Sequence, residues 1–217
     1  MGIAYNTSIV SDGLVFALDA ANSRCYPGSG TSTNSLIGGI GATLYNGVGF
    51  TSSNNGSFIF DGTNDYGLTS GSVSITNSIS ITAWIKQNSL VGNQRYVSWT
   101  SAFETCVIRL NNGACQFFIS TGGTLKFRSS NALSNNTWYY FAGTWDGTSQ
   151  ILYQNGIQIT SQNPGGMLDG GNLICTLSLS SSETLNGNIS QTHLYNRALT
   201  SQEIKQNYNA TKKRYGL

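Results

Sequence analysis

The stretch from Thr137 to Ile159, TWYYFAGTWDGTSQILYQNGIQI, restricts the fold more than any other part of the chain. It carries the pairs Asp146-Gly147 and Asn155-Gly156. Asn, Asp and Gly tolerate positive φ, so such pairs close tight turns between antiparallel strands. Strands are therefore expected over Trp138 to Thr144, Gln150 to Gln154 and Ile157 to Thr160, in a meander. In the first of them Trp138, Tyr140 and Ala142 alternate with Tyr139, Phe141 and Gly143, so both faces carry apolar area. That suits a central strand covered on both sides.

The rest of the chain repeats this grammar. Ser78 to Lys86, SISITAWIK, has a period of two, with Ile79, Ile81, Ala83 and Ile85 on a core face and Ser80, Thr82, Trp84 and Lys86 on a polar face with an aromatic. Arg95 to Ser101, Cys106 to Leu110, Cys115 to Ile119 and Thr124 to Arg128 read as short strands between Gly/Asn turns. No segment between them has the apolar spacing of a helix that could connect parallel strands. Only 9% of residues are charged, so turns and neutral polar strand faces replace the usual Lys/Glu-rich helical surface. These features predict an all-β, two-sheet antiparallel sandwich, one domain over residues 1–217. Gly13 to Asp19 opens it as a strand. Residues 20–46 form a long irregular wrap over a sheet edge, with at most a short strand near Ala42 to Tyr45. Ser57 to Asp61 and Asp65 to Leu68 flank a hairpin-like corner, and Leu185 to Tyr195 is the last strand. One short C-terminal helix follows: Thr200 and Glu203 form a capping box, and Ile204 with Tyr208 makes an apolar stripe. Lys212, Lys213 and Arg214 are expected as a solvated end.

Several function classes drop out. A net charge of +2 with scattered basic residues lacks the footprint of a nucleic-acid binder. No apolar run approaches the ~18 residues that membrane insertion requires, and MGIAYNTSIVSDG has neither the basic start nor the apolar centre of a signal peptide. Synthesis in a cytoplasm without export by that route is expected. Cys25, Cys106, Cys115 and Cys175 fit no zinc spacing. If Asn112-Gly113 is a two-residue turn, Cys115 lies opposite Leu110 and Cys106 opposite Ile119, so these two thiols are not cross-strand partners.

Chemistry is equally sparse. Glycoside hydrolysis needs two carboxylates flanking the scissile bond, yet Glu104, Glu183 and Glu203 are far apart in sequence and Glu203 is a helix cap. His193, the sole histidine, reads as a satisfied sheet residue rather than a general base. The chain is expected not to be an enzyme. Asp61, Asn64 and Asp65 are hard oxygen donors of the kind calcium takes, although turn capping through their own backbone explains them without a metal. No cofactor is expected to be required.

The segments GLVFALDAANSRCYPGSG, FIFDGTNDYG, SISITAWIK, TWYYFAGTWDGTSQILYQNG and LNGNISQTHLYNRALTSQEIKQNY, in this order, resemble the concanavalin A-like, laminin-G-like jelly-roll domains over nearly the whole chain. They look most like stand-alone versions in tailed-bacteriophage virion proteins. The resemblance implies a two-sheet jelly roll, a carbohydrate- or protein-binding role, and in some members a calcium ion at the rim. Two functions follow as expectations. The first is a non-catalytic virion structural protein that decorates or caps a bacteriophage capsid, tail or fibre, with other virion proteins as partners, and that could form a homo-oligomer. A chain that opens on Met1 and closes on a docked helix carries no shaft of its own, which favours this accessory role. The second is a lectin-type adhesin for host-surface glycan, for which Trp84, Tyr96 and Trp99 with Arg95 are the candidate sugar-contacting residues.

Overall fold

A computed structural model describes residues 8–101, 104–179 and 182–217, so part of the N-terminal stretch lies outside the described residues. The chain opens with β1 (Leu14–Asp19), whose Phe16 and Leu18 enter the core. The Gly/Ser/Asn-rich wrap then holds β2 (Ser32–Asn34) and β3 (Gly41–Tyr45), two short strands where one was expected. They are followed by β4 (Gly49–Thr51), β5 (Ser57–Asp61), β6 (Tyr66–Thr69) and β7 (Val73–Ile75). The alternating stretch with Trp84 forms β8 (Ile79–Gln87), and the Gly/Asn-punctuated run forms β9 (Asn93–Thr100), β10 (Glu104–Asn111), β11 (Ala114–Thr121) and β12 (Thr124–Ala132).

The meander appears as expected, as β13 (Trp138–Trp145), β14 (Gln150–Gln154) and β15 (Ile157–Gln162). Asn155 and Gly156 take φ of 53° and 77°, which the two-residue turn between β14 and β15 requires. Two strands follow, β16 (Gly171–Leu177) and β17 (Asn186–Tyr195), and then α1 (Ser201–Thr211). The capping box is present: Thr200 Oγ1 accepts from the Glu203 amide, and the Glu203 carboxylate accepts from the Thr200 amide.

Two antiparallel sheets result. An eight-stranded sheet runs β15-β14-β13-β8-β17-β5-β4, with β1 on the far half of β17; a nine-stranded sheet runs β12-β11-β10-β9-β16-β6-β3-β2, with β7 beside β16. The corner between Asp61 and Tyr66 is therefore not a hairpin. It carries the chain from the eight-stranded sheet to the nine-stranded one, because β5 pairs with β17 and β4 whereas β6 pairs with β3 and β16. Phe16, Phe58, Phe60, Ile81, Ile85, Trp99, Phe117, Phe141 and Trp145 fill the space between the sheets. The four cysteines are free and buried, and Cys106 and Cys115 face Ile119 and Leu110 as the turn geometry predicts.

A second apolar cluster corrects two expectations. Trp84, expected on a polar face, is fully buried on the outside of the eight-stranded sheet with Tyr140, Tyr153 and Tyr195, because α1 and the turn after it lie over them. Tyr215 stacks on Trp84 with centroids 3.9 Å apart. Arg214 is not a solvated end either: it pairs with Asp19 at 2.8 Å and donates to the carbonyls of Asn54 and Gly56 and to Ser190 Oγ. This cover takes up the outer face of the eight-stranded sheet. Among the described residues, no helix crosses the outer face of the nine-stranded one. Among the described residues, no helix is long and apolar enough to cross a membrane.

Candidate functional site

β9, β10 and β11 bring Arg95, Arg109 and Gln116 side by side, Arg95 opposite Arg109 and Arg109 opposite Gln116. Two like charges opposite each other on neighbouring strands repel. Glu183, from the segment between β16 and β17, offsets this by accepting from both: Arg95 Nη2 at 2.7 Å and Nε at 2.9 Å, and Arg109 Nη1 at 2.7 Å. Glu104, at the start of β10, accepts from Arg95 Nη1. The quartet is charge-neutral, and most of it is shielded from water, with side-chain exposures from 8% at Arg95 to 33% at Glu104.

Aromatic rings continue this surface. The Arg109 guanidinium lies 4.2 Å from the centre of the Phe118 ring, and Phe118 stacks on Phe127 with centroids 5.1 Å apart. Phe118 is buried, whereas Phe127 keeps 47% of its surface exposed and Leu125, two residues earlier on the same face, 46%. The pairing register then extends one row across the sheet, Phe127, Phe118, Val107, Ser98, Thr176, Leu68 and Thr43, each opposite the next. Two residues from Thr43 and Leu68, and so on the same face, Tyr45 and Tyr66 stand opposite each other. Their rings stack almost parallel, 4.6 Å apart.

Of the expected sugar-contacting residues, only Arg95 lies on this face, and it acts as an anchor: each guanidinium nitrogen is spent on Glu104 or Glu183. Trp84, Tyr96 and Trp99 are corrected outright. All three are fully buried, Trp84 beneath the C-terminal helix and Tyr96 and Trp99 between the sheets, so no platform is offered to a ligand. Arg109, Glu104, Glu183, Phe118 and Phe127 escape sequence reasoning. For the glutamates no local signal exists, since the fold alone brings residues 104 and 183 to one guanidinium. For Phe118 there was one: in a strand with Phe117 turned inward, the next phenyl ring must face outward.

Asp61, Asn64 and Asp65 come together at the sheet-switching corner, but their oxygens hold the turn. Asp61 Oδ1 accepts from the Thr63 amide at 2.7 Å, Asp65 Oδ2 from the Asp61 amide at 3.1 Å, and the Asn64 carbonyl from Asn46 Nδ2 at 2.9 Å. Asp65 Oδ1 is buried without a partner, and burial pushes that carboxyl above its ordinary range. With Asp61 Oδ1, Asp65 Oδ2 and the Asn64 carbonyl engaged in the turn, the three residues supply fewer free oxygens than the about six to eight of a calcium shell. Among the described residues, no group of three or more His, Cys, Asp and Glu could hold a metal. His193 lies against Thr82, with Nδ1 3.1 Å from Oγ1, and burial pulls it down to about 4 against the opposing pull of Asp19. It is a neutral sheet residue with no access to a substrate.

A family model described as "Concanavalin A-like lectin/glucanases superfamily" matches residues 60–205. No curated protein matches the chain in sequence. Among solved structures, the binding domain of botulinum neurotoxin serotype G is 15% identical with a TM-score of 0.70, covering 90% of this chain and 50% of that one. A botulinum neurotoxin type C structure, whose cell entry is described as dependent on interaction with two ganglioside molecules, is 14% identical with a TM-score of 0.73, covering 92% and 51%. The binding domain of Paraclostridial Mosquitocidal Protein 1 is 16% identical with a TM-score of 0.70, covering 91% and 52%. The chain thus spans about half the length of the solved structures it resembles, and at these identities the likeness concerns the fold. With the family model covering most of the sandwich, the chain belongs to the concanavalin A-like lectin/glucanases superfamily.

Proposed function

We propose that this chain is a non-catalytic binding module whose ligand is carbohydrate, held on the outer face of the nine-stranded sheet. The observation that carries this reading is the neutral Arg95–Glu104–Glu183–Arg109 quartet abutting the Phe118–Phe127 stack. Sugars present hydroxyls that want fixed planar donors and acceptors, and apolar C–H faces that want an aromatic ring. Arg109 and Glu104 offer the first, and Phe127 the second. The ganglioside interaction named for a similar solved domain agrees with this assignment. The two glutamates make no acid and nucleophile pair in this reading, because Glu183 gives both oxygens and Glu104 one to arginine, and an acid for glycoside cleavage must present a proton to the leaving oxygen.

The sequence resemblance to bacteriophage virion domains supports a setting for this binding: the module is carried on a particle, with other virion proteins as its structural partners, and needs no calcium. Glycan-array binding by the purified protein tests the ligand, with Phe127→Ala expected to weaken it about tenfold, the upper end of an aromatic contact. Failure to bind any glycan, or hydrolysis of a bound one, overturns the reading. Mass spectrometry of purified particles tests the setting, and absence of the chain there refutes it.

A further inference from the structure

Asn-Gly pairs close turns in this chain, and they are also places where a peptide can react with itself. Asparagine is the thermolabile partner, and the glycine that follows it has no Cβ to hinder the approach of its backbone nitrogen to the asparagine Cγ. Attack forms a bond between that nitrogen and Cγ and breaks the bond from Cγ to Nδ2. The proton of the glycine amide goes to the leaving nitrogen, which departs as ammonia. Water then opens the succinimide ring at either carbonyl and leaves aspartate or isoaspartate, with nothing oxidised or reduced. The step needs an asparagine side chain that is free to turn and a peptide unit that can rotate towards it.

The sequence has five such pairs, beginning at Asn46, Asn55, Asn112, Asn155 and Asn186. Four of them are held by the fold. Asn46 Nδ2 donates to the Asn64 carbonyl at 2.9 Å. Asn155 Oδ1 accepts from the Tyr140 amide at 3.0 Å, and Tyr208 lies against Gly156, where a Cβ would stand 3.0 Å from its Cδ1. After Asn55, Gly56 is buried, and its amide, whose nitrogen would have to attack, donates to the Ser53 carbonyl at 3.1 Å. Asn186 and Gly187 lie inside β17, paired with Asp61 and Phe60, and Gly187 is buried.

Asn112-Gly113 differs in each respect. Asn112 is exposed in the turn between β10 and β11 with φ of 42°, and a Cβ on Gly113 would meet nothing within 4 Å. Among the described residues, the Asn112 side chain has no hydrogen-bond partner. The hydrogen bonds of the turn fall on either side of the peptide unit that must rotate: the Asn112 amide donates to the Gly92 carbonyl at 3.0 Å, and the Gly113 carbonyl accepts from the Leu133 amide at 2.8 Å. The Asn112 carbonyl and the Gly113 amide, which make up that unit, have no partner among the described residues. It can therefore swing between two anchored ends while β10 and β11 stay paired.

We infer that Asn112 is a site of self-modification, deamidating in the folded chain through attack by the Gly113 nitrogen and ahead of the other Asn-Gly pairs. The turn joins the strands that carry Arg109, Gln116 and Phe118. A new carboxylate, and in the isoaspartate form an added backbone methylene, thus arises at the end of that hairpin. The inference is independent of which ligand the protein takes.

Timed incubation of the intact protein in mildly alkaline buffer, followed by proteolysis and mass spectrometry, reads the conversion at all five asparagines. The same incubation in urea reads them with the fold removed. In the folded protein Asn112 is expected to convert about tenfold faster than any other, the factor that one or two hydrogen bonds to be broken at the held pairs supply. In urea the rates should converge. Conversion of Asn112 in the folded protein no faster than that of Asn46, Asn55, Asn155 or Asn186 overturns the inference, and so does an Asn112 that reacts in urea but stays intact in the folded chain.

Discussion

Gly143 tests whether the two sheets are packed as closely as the fold requires. It lies on β13 against Phe117 of β11, and a Cβ at its position would stand 2.3 Å from Phe117 Cδ2 and 2.4 Å from Cε2 and Cγ. Carbon atoms in contact sit about 3.5–4.0 Å apart, so Gly143→Ala must push the ring away by more than about an ångström. The ring has little room to give: Phe117 is fully buried, and its carbonyl accepts from Gln150 Nε2 at 2.9 Å. Overpacking of this kind costs about 1–3 kcal/mol. Because Gly143 does not take positive φ, alanine suits its backbone and returns about 0.4–1 kcal/mol through the unfolded chain. The expected net loss is about 1–2 kcal/mol, equivalent to a fall in Tm of roughly 2–8 °C for a chain of this size. Urea denaturation with an unchanged slope would measure it. In Gly143→Ala/Phe117→Leu the smaller side chain makes room for the methyl, so the two losses should combine to at least about 0.5 kcal/mol less than their sum. A stability equal to or above that of the parent chain for Gly143→Ala would refute this account of the sheet contact.

Glu183→Ala leaves Arg95 buried with only Glu104 and Arg109 without its carboxylate, so a loss of about 3 kcal/mol is expected by denaturation; a change below about 0.5 kcal/mol would show that the quartet is not coupled. Stability should also fall in acid. His193 is lowered to about 4, so the unfolded chain takes up its proton first and stability drops by about 3 kcal/mol as pH falls from about 6.5 to about 4. Glu203, lowered to about 2 chiefly by Arg197, adds a second loss as pH falls from about 4.5 to about 2. Denaturation curves at pH 8, 6 and 4.5 check the first limb, which His193→Gln should flatten; a stability constant over that range refutes it. Chelator should leave thermal unfolding unchanged, since the Asp61–Asp65 corner is closed by its own hydrogen bonds; a large chelator-sensitive shift would mean that metal binds the folded state.

What could be read from the sequence is what short-range physics determines. Strand periodicity and Asx-Gly turns are local, so β8, β13, β14 and β15 and the turn at Asn112-Gly113 follow from a few neighbouring residues. The capping box needs only four positions, and α1 begins where it says. The corner at residues 61–66 reads as a hairpin in sequence because a hairpin and a sheet switch use the same turn residues. Only the pairing of β5 with β17 and of β6 with β16, both far along the chain, separates the two. Trp84 reads as a surface aromatic for a related reason. Alternation tells which side chains share a face, but not that a helix more than a hundred residues later will cover that face and make it a second core.

The proposed binding surface is harder to read because its parts owe nothing to sequence proximity. Large aromatics in a β-rich chain go first to the space between the sheets, and Tyr96, Trp99 and Trp145 are all there. A ring available to a ligand must instead occupy an outward position that the chain itself leaves open. Phe127 on the edge strand β12 and Tyr45 near the opposite edge on β3 meet that condition, and both looked ordinary in sequence. The charged residues obey the same rule. In a chain with so few charges, placing four of them in one contact is costly unless they satisfy one another, and Glu183 does so only because the β16 to β17 connection returns over β9 and β10. A neutral, preorganised polar centre with the exposed Phe127 ring nearby can orient a hydroxyl-rich ligand without long-range attraction. Affinity on this surface is therefore expected to change little as salt is raised, in contrast to a site that relies on unpaired charge.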